Sequence, residues 1–339
     1  ESMHTQHRHI AVLMGGVSGE HDVSLSSGRG VVDALTRAGH RALPVVIGRD
    51  GRWQLGSEPF RDTFEALVHL RDARVDCVFI ALHGPFGEDG RMQGMLDLLG
   101  FPYTGSGCAA SALSMDKVRS KAVVQAQGVP VAPHVAFDAA LWTLRPDEVV
   151  AAIAKDTGYP CVVKGANQGS SIGIEMVDSA EGLRMAVEQV FQVDEYILAE
   201  PLLQGVELTC GVLDAEPDGR IRGLPVTEIR PKARFFDYTA KYTPGATDEI
   251  TPAEIPGSAT ASVQSLSVLV HEVLGCRGWS RSDFILTEGG PVWIEVNTVP
   301  GLTPTSLYPQ ACAADGISYE QMVCLFVEAA IRERTARKE

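Results

Sequence analysis

The hydrophobic pattern of the first hundred residues alternates short apolar runs with turns and helical stretches. The first run, 10–14, ends at two consecutive glycines and precedes a helical pattern over 24–35. Further apolar runs cover 43–47 and 76–82. Strands that alternate with helices predict a parallel α/β sheet, whose ligands lie at the carboxyl ends of the strands. We therefore expect the loop over 83–90, which follows the third run, to lie at the ligand-binding edge of this sheet.

A different pattern begins near residue 158, after a helical segment over 109–127, and predicts a small α+β unit. Apolar residues at positions i, i+3, i+4 and i+7 favour a helix over 180–191. A turn rich in glycine and serine, 169–173, separates the first two strands of this unit. The strands are predicted over 161–164, 174–177 and 196–200.

The last third of the chain is rich in predicted strands and contains one long segment without clear periodicity. Strands over 206–213 and 224–229 lead into this segment, 230–256, which we interpret as a lid loop because long loops often cover active sites. The patterns at 283–286 and 292–296 predict two paired strands. Those at 263–274 and 319–330 predict two helices. The fold class is therefore α/β and α+β, and we predict three lobes, 1–114, 115–204 and 205–339.

Composition and charge narrow the class of protein. Of the 339 residues, 45% are hydrophobic and 21% charged, as in ordinary globular proteins. The 29 Lys and Arg against 43 Asp and Glu give a net charge of −14, so we expect neither nucleic acid nor membrane as a partner. Seven scattered cysteines without a C-x-x-C pair, and a polar N-terminus without the apolar core of a signal peptide, indicate free thiols in a cytoplasmic protein.

Three oxygen-bearing side chains on two predicted strands form a candidate metal site. Asp283 lies on one strand, while Glu295 and Asn297, two positions apart, share a face of the next. Carboxylate and amide oxygens together with substrate phosphates are the ligands that Mg²⁺ prefers, so this set predicts a Mg²⁺-bound nucleotide rather than zinc. A pair of solvated strand edges is the alternative interpretation.

Two lysines are candidates for binding phosphate. Lys164 ends an apolar strand and precedes the turn over 169–173, whose backbone N–H groups are suited to phosphate oxygens. An ordinary hairpin with a capping lysine has the same pattern. Lys117, in the sequence Met-Asp-Lys-Val-Arg-Ser-Lys, is by itself typical of a solvated helix charge.

Other polar residues are placed to face a ligand. Arg281 shares the strand face of the metal candidates and is suited to stabilising oxyanion or phosphoryl charge, although a salt bridge to Glu295 fits equally well. The loop over 298–306 offers amides and hydroxyls to a carboxylate or oxyanion, or forms a plain structural turn. Glu20 and His83 follow predicted parallel strands, where side chains are often ligand-facing.

Taken together, these residues resemble the D-alanine–D-alanine ligases of the ATP-grasp superfamily. The matching stretches occur in order along residues 10 to about 330, at 15–25, 82–90, 103–107, 115–117, 164–173, 237–242, 281–283 and 295–306. The resemblance implies a three-lobed ATP-grasp architecture with an N-terminal parallel sheet and with ATP between the middle and C-terminal lobes. It further implies an ATP-dependent ligase that joins two D-alanines through an acylphosphate, for peptidoglycan precursor synthesis.

The resemblance also implies which residues contact the nucleotide. Lys117 and Lys164 match lysines at the phosphates, Glu200 and Leu203 match the hinge at the adenine, and Glu207 matches the acid at the ribose. Two Mg²⁺ ions, with Mn²⁺ as an alternative, match the metal candidates named above. The other nucleotide-binding residues implied are Ser171, Phe235 and Lys241, of which Lys241 reaches the γ-phosphate.

The substrate contacts are implied in the same way. Glu20 matches the acid that holds the ammonium of the first D-alanine, and His83 supports it from behind. Ser170 and Tyr242 match residues that hydrogen-bond with Glu20 and close the lid. The oxyanion contacts implied are Arg281 and the amide of Gly301, and the contacts to the carboxylate of the second substrate are Ser306 and Leu307.

Three positions depart from the family pattern: Pro201 stands in the hinge, Gly165 follows Lys164, and Phe236 replaces a frequent tyrosine. The nearest rival function keeps the fold and uses D-lactate or D-serine as the second substrate, whereas Tyr242 favours an amine acceptor. A nucleotide-binding module without catalysis is the other rival, and the intact metal and oxyanion residues argue against it. We expect a homodimer.

Overall fold

The computed structural model describes residues 7–169, 173–231 and 247–336. Within these residues three β-sheets form, one in each third of the chain. The N-terminal elements are β1 (His9–Gly15), α1 (His21–Arg37), β2 (Arg41–Ile47), β3 (Trp53–Leu55), α2 (Thr63–Asp72), β4 (Cys77–Ile80) and α3 (Arg91–Leu99).

The N-terminal sheet has the strand order β3-β2-β1-β4. Strand β1 pairs in parallel with β2 and with β4, which confirms the parallel sheet predicted from the three apolar runs. The short strand β3 pairs antiparallel with β2. After β1 the chain turns at Gly15 and Gly16, whose φ angles of +89° and +91° favour glycine. This turn places residues 17–20 at the carboxyl end of β1.

The helical segment predicted over 109–127 is two helices, α4 (Cys108–Met115) and α5 (Lys117–Ala126). Asp116 interrupts the pattern because it adopts an extended conformation and its carboxylate accepts the backbone N–H groups of Val118 and Arg119. An aspartate at this position is a favourable N-cap, so the local sequence favours a new helix start over a continuous helix. Helix α5 therefore begins at Lys117.

The middle sheet contains the three predicted strands and the predicted helix, together with a strand, β5, and two helices that were not predicted. Its elements are β5 (Val135–Asp138), α6 (Ala139–Leu144), α7 (Pro146–Asp156), β6 (Cys161–Gly165), β7 (Ile174–Val177), α8 (Ala180–Val190) and β8 (Tyr196–Pro201). The strand order is β5-β8-β6-β7, and every pair is antiparallel. Helix α8 presents Leu183, Ala186, Val187 and Val190 to the core, as the spacing predicts.

The third sheet is antiparallel and contains the largest number of strands. Its region comprises β9 (Val206–Asp214), β10 (Arg222–Gly223), β11 (Thr227–Pro231), β12 (Thr247–Ile250), α9 (Gly257–Val273), β13 (Gly278–Thr287), β14 (Gly290–Asn297), α10 (Leu307–Ala314) and α11 (Tyr319–Ala336). The strand order is β12-β11-β9-β13-β14, with β10 beside β9. The pairing of β13 with β14 confirms the predicted hairpin.

The segment over 230–256, predicted as a long loop, contains regular structure near both ends, whereas its role as a lid stays a prediction. Strand β11 extends to Pro231, β12 pairs antiparallel with it, and α9 begins at Gly257. The sequence of β12, Thr-Asp-Glu-Ile, is short and charged, as edge strands often are, so it carries no periodic signal. Residues 232–246 lie outside the described part of the chain.

The C-terminal helix completes the core of the N-terminal region. Phe326 on α11 stacks on Trp279, and both belong to the same buried cluster as Ile10 on β1. An ion pair of 3.2 Å between Arg8 and Glu328 joins the same two regions at the surface. Because the ends of the chain share one core, the lobe boundaries at 114 and 204 stay predictions.

The cysteines agree largely with the prediction of free, buried thiols. All seven cysteines are free; five are buried and Cys324 is half-buried, whereas Cys108 is exposed at the start of α4. In the described part of the chain, no helix combines the length and the apolarity needed to cross a bilayer.

Candidate active site

A cavity of about 560 Å³ lies between the middle sheet and the third sheet. Strands β6 and β8 form one wall, and β9, β13 and β14 form the other. Nine of the residues predicted for the site line it: Lys117, Lys164, Glu200, Leu203, Glu207, Arg281, Asp283, Glu295 and Leu307. Residues from distant parts of the sequence therefore converge here as the motifs predicted.

The hairpin of β13 and β14 positions the metal candidates. Asp283 lies opposite Glu295, and Arg281 lies opposite Asn297, so the four candidate residues occupy alternate positions of two paired strands. The register shifts between Asp283 and Phe284, which marks a local irregularity of the hairpin beside the site. The prediction that Glu295 and Asn297 share a strand next to Asp283 is confirmed.

Asp283 is held by several donors. The guanidinium of Arg281 donates to both carboxylate oxygens, with Nε–Oδ1 and Nη2–Oδ2 distances of 2.9 Å. The Thr209 hydroxyl donates at 2.7 Å from the neighbouring strand β9, and Asn297 Nδ2 lies at 3.4 Å. Thr209 had no recognisable signal in the sequence, because its position depends on the pairing of β9 with β13.

The donor set fits a hard cation if Asn297 contributes. Among the residues that the structure describes, no group of three His, Cys, Asp or Glu side chains has the arrangement of metal ligands. Asp283 and Glu295 supply two carboxylates, and an amide oxygen from Asn297 is the third donor. The oxygen and nitrogen of an asparagine amide exchange places by a flip, so the oxygen can face the same point as the two carboxylates.

Lys117 extends from the first turn of α5 to β14. Its ammonium donates to the carbonyl of Gln168 at 2.6 Å and lies 3.2 Å from Glu295 Oε2. The side chain is 9% exposed, so the interpretation of Lys117 as a solvated helix charge is wrong. Tertiary packing, which the local sequence does not encode, places this lysine beside the metal candidates and next to the glycine-rich turn.

Glu200 bridges two lysines inside the wall of the cavity. Its Oε2 atom lies 2.5 Å from the ammonium of Lys164, and its Oε1 atom lies 2.7 Å from that of Lys121. Burial raises the pKa of the Glu200 carboxyl, but Lys164 and Lys121 outweigh burial and lower this pKa to about 2. Lys121 was not predicted as a site residue, although it lies on the same helical face as Lys117 and Val124.

Glu20 and Glu88 place two carboxyl groups beside the glycine-rich turn. A side-chain carbon at Gly169 would lie 3.1 Å from Glu20 Oε2 and 3.8 Å from Glu88 Oε1, so both groups approach this glycine. Burial, and then the charge of Glu20, raise the pKa of Glu88 to about 8, against the lowering effect of backbone hydrogen bonds at Gly84 and Val299. Our sequence analysis assigned no role to Glu88.

His83, in the loop after β4, connects helix α1 to the 298–306 loop. Its Nε2 atom lies 2.8 Å from the Ser27 hydroxyl, and its Nδ1 atom lies 2.9 Å from the carbonyl oxygen of Val299. Ser27 in turn accepts the backbone N–H of Leu302 at 3.2 Å. The histidine is buried and joins α1 to the 298–306 loop, whereas its support of Glu20 stays a prediction.

The 298–306 loop is closed by its own side chains. The Ser306 hydroxyl accepts the backbone N–H of Thr303 at 3.1 Å and lies 2.5 Å from the Thr303 hydroxyl. A side-chain carbon at Gly301 would lie 3.0 Å from Ser306 Oγ, so a larger residue would push against this hydroxyl. The loop therefore holds Gly301 and Ser306 together at the start of α10.

The departures from the family pattern have local explanations where the structure describes them. Pro201 ends β8 and lines the cavity. Proline has no backbone N–H to donate, but its carbonyl oxygen still accepts a hydrogen bond. A side-chain carbon at Gly165 would lie 2.8 Å from the Asp194 side chain, which explains the glycine. The predicted positions Ser170, Ser171, Phe235, Phe236, Lys241 and Tyr242 lie outside the described residues.

Two family models match consecutive parts of the chain. The model described as the D-ala D-ala ligase N-terminus matches residues 9–72 and 64–106. The model described as the D-ala D-ala ligase C-terminus matches residues 123–328.

Curated relatives and solved structures agree with this match. A D-alanine–D-alanine ligase of Halalkalibacterium halodurans is 42% identical over 326 residues, which cover 96% of this chain and 99% of the relative. A D-Ala:D-Ser ligase from Enterococcus faecalis has a TM-score of 0.81 at 32% identity, covering 96% of this chain and 100% of that one. A D-alanine–D-alanine ligase from Bacillus anthracis, solved with ATP, has a TM-score of 0.79 at 29% identity, covering 97% of this chain and 99% of that one. This chain therefore belongs to the D-alanine–D-alanine ligase family.

Proposed function

We propose that this chain joins two D-alanines into D-alanyl-D-alanine and converts ATP to ADP and phosphate. The observation that carries the proposal is the convergence, in one cavity, of buried lysines with the Arg281–Asp283 pair and the Glu295 carboxylate. This combination supplies cations for phosphate, oxygen ligands for a metal and a donor for an oxyanion. A bare nucleotide-binding module needs no oxyanion donor beside its metal ligands, so the geometry favours the ligase.

Lys117 and Lys164 are the candidates for the phosphates of ATP. Both lysines line the cavity, and each pairs with a carboxylate, Lys117 with Glu295 on β14 and Lys164 with Glu200 on β8. Leu203 and the strand end at Pro201 are placed to contact the adenine, and Glu207 on β9 is placed to meet the ribose. Phosphate in this position would be attracted by fixed positive charges inside an otherwise acidic molecule.

Asp283, Glu295 and Asn297 would hold Mg²⁺. When bound, Mg²⁺ neutralises phosphate charge and orients the triphosphate for in-line transfer. The Arg281 guanidinium pairs with the Asp283 carboxylate at 2.9 Å, and the Lys117 ammonium pairs with the Glu295 carboxylate at 3.2 Å.

The reaction proceeds in two steps on the substrates. The carboxylate of the first D-alanine attacks the γ-phosphorus of ATP, ADP leaves, and an acylphosphate forms. The amine of the second D-alanine, after losing a proton, attacks the acyl carbon, and phosphate leaves from the tetrahedral adduct. Glu20 holds the ammonium of the first D-alanine, while Arg281 and the Gly301 amide stabilise the developing oxyanion. Ser306 and Leu307 bind the carboxylate of the second.

Phosphate release from MgATP tests the proposal directly. We expect release that depends on D-alanine and is absent with L-alanine. Release that is equal with and without D-alanine would refute the ligase and favour a module that only binds nucleotide.

A ligase that accepts D-serine as the second substrate is the alternative function, and the similarity to the Enterococcus faecalis D-Ala:D-Ser ligase supports it. Competition with equal D-alanine and D-serine distinguishes the two by the mass of the dipeptide, and adding D-lactate tests the ester product. We also propose a cytoplasmic location and a homodimer, the latter tested by sedimentation equilibrium.

A further inference from the structure

One lysine in the wall of the cavity faces the protein interior. Lys121 lies on α5, one helical turn after Lys117, and its side chain is 0% exposed. Its ammonium lies 5.5 Å from the ring centroid of Trp293, a buried residue of β14. Lys117, Lys164 and Glu200 all line the cavity, whereas Lys121 stands one layer behind them. It is therefore placed to act on a ligand only through another side chain.

Glu200 is that side chain. Its two carboxylate oxygens face different lysines, with Oε1 at 2.7 Å from Lys121 and Oε2 at 2.5 Å from Lys164. The carboxylate is 6% exposed, so water does not replace either partner readily. Strands β6 and β8 are neighbours in the sheet, which fixes the backbone positions of Lys164 and Glu200. The orientation of the carboxylate is then set by Lys121 from behind and by Lys164 from the cavity.

The charges of the three groups do not cancel. One carboxylate between two ammonium groups leaves an excess positive charge, and that charge is exposed to the cavity only at Lys164. Burial lowers the pKa of Lys121, and Glu200 opposes this effect. A buried carboxylate that loses one of two cationic partners binds the remaining one more strongly.

We propose that Lys121 is a positioning residue for nucleotide binding: it holds and partly neutralises Glu200, so that Lys164 stays available to an anionic phosphate in the cavity. The inference rests on the proposed function in one respect, that the anion is the phosphate of a nucleotide. Without Lys121, the Glu200 carboxylate rotates toward Lys164 and pairs with it alone. Lys164 then has less positive charge to offer to the nucleotide.

Calorimetric titration without D-alanine tests this proposal separately from the ligase reaction. The probe is an ATP analogue with a non-hydrolysable β–γ bridge in the presence of Mg²⁺. We expect Lys121→Met to weaken binding of the analogue at least tenfold. Lys155→Met, on the exposed part of α7, is the matched control and should bind like the parent.

Combining Lys121→Met with Glu200→Gln tests whether Lys121 acts on the nucleotide through Glu200. In Glu200→Gln protein the carboxylate charge that Lys121 offsets is gone, so adding Lys121→Met should change affinity less than threefold. In steady-state assays, Lys121→Met should raise the KM for ATP and leave the KM values for D-alanine within twofold of the parent. Lys121→Gln keeps a donor to Glu200, so its affinity for the analogue should lie between those of the parent and Lys121→Met. Thermal unfolding verifies that each variant is folded. If Lys121→Met does not fold, Lys121→Gln replaces it in the test.

Three outcomes would overturn the inference: parental affinity in Lys121→Met, an equal loss in the parent and Glu200→Gln backgrounds, or a loss that raises the KM values for both substrates alike. The last two indicate that Lys121 contributes to packing alone. If the parent binds the analogue but makes no dipeptide, the ligase proposal fails while the claim about Lys121 is still tested.

Discussion

Arg281 and Asp283 lie two positions apart on β13 and form a two-point ion pair, with both nitrogen–oxygen distances at 2.9 Å. The pair joins a candidate oxyanion donor to a candidate metal ligand on one strand face. Planar guanidinium and carboxylate groups match each other geometrically, so each fixes the orientation of the other. Thr209 on β9 anchors the pair from the neighbouring strand.

Replacing Arg281 with methionine should reduce kcat at least tenfold with little change in the folded structure. One lost oxyanion donor typically costs about 2.7–4 kcal/mol of transition-state stabilisation. Steady-state phosphate release at saturating substrates measures the effect. Arg220→Met, at an exposed position after β9, is the control. Near-parental turnover in Arg281→Met would remove Arg281 from the proposed role.

Replacing Glu295 with glutamine should raise the Mg²⁺ concentration needed for half-maximal activity, because one of two carboxylate ligands loses its charge. A rise of about tenfold is expected, as for changes that weaken a metal site without removing it. Mg²⁺ titrations of phosphate release provide the measurement. Glu288→Gln, in the exposed turn between β13 and β14, should titrate like the parent. An unchanged Mg²⁺ dependence in Glu295→Gln would place the ion elsewhere.

The raised pKa of Glu88 predicts a pH dependence of stability in protein without metal or nucleotide. The folded state keeps the proton of Glu88 up to a pKa of about 8, whereas the unfolded chain loses it near the ordinary glutamate pKa of 4.5. The unfolded state therefore binds fewer protons between these pH values, and the contribution of Glu88 to the free energy of unfolding falls as pH rises.

Urea denaturation from pH 5 to pH 8 measures this effect. Glu88→Gln should lose less stability than the parent over that range, with a difference in slope of up to about 1.4 kcal/mol per pH unit. Glu58→Gln, an exposed residue after β3, is the control. Parallel stability curves for the parent and Glu88→Gln would show that Glu88 is ionised throughout.

Replacing Asp116 with alanine should destabilise the protein and weaken ATP binding together. The N-cap of α5 is lost, which typically costs about 1 kcal/mol, and α5 carries both Lys117 and Lys121. Asp62→Ala removes the N-cap of α2, far from the cavity, and should cost similar stability without raising the KM for ATP. Equal KM values for the two variants would show that the start of α5 does not position the lysines.

The parts of the fold that depend on local patterns were predictable. The apolar run over 292–296 predicted β14, and the Glu-x-Asn spacing placed Glu295 and Asn297 on one face. The helix over 180–191 followed from its i, i+3, i+4 and i+7 spacing. In each of these cases the periodicity of the chain determines which side chains share a face.

Features that depend on contacts between distant segments were not predictable. Lys121 looks like any helix lysine until β8 brings Glu200 within 2.7 Å. Asp116 divides a helical pattern that periodicity alone reads as continuous. Strand β12 is too short and too charged to be recognised without its partner β11. The packing of α11 on the first sheet likewise depends on residues some 300 positions apart, as the Arg8–Glu328 pair illustrates.

Mass identification of the product made from MgATP and D-alanine tests the central claim most directly. The account predicts one product with the mass of D-alanyl-D-alanine, formed in a one-to-one ratio with phosphate, and none from L-alanine. ATP hydrolysis without a dipeptide, or a dipeptide formed equally well from L-alanine, would contradict it.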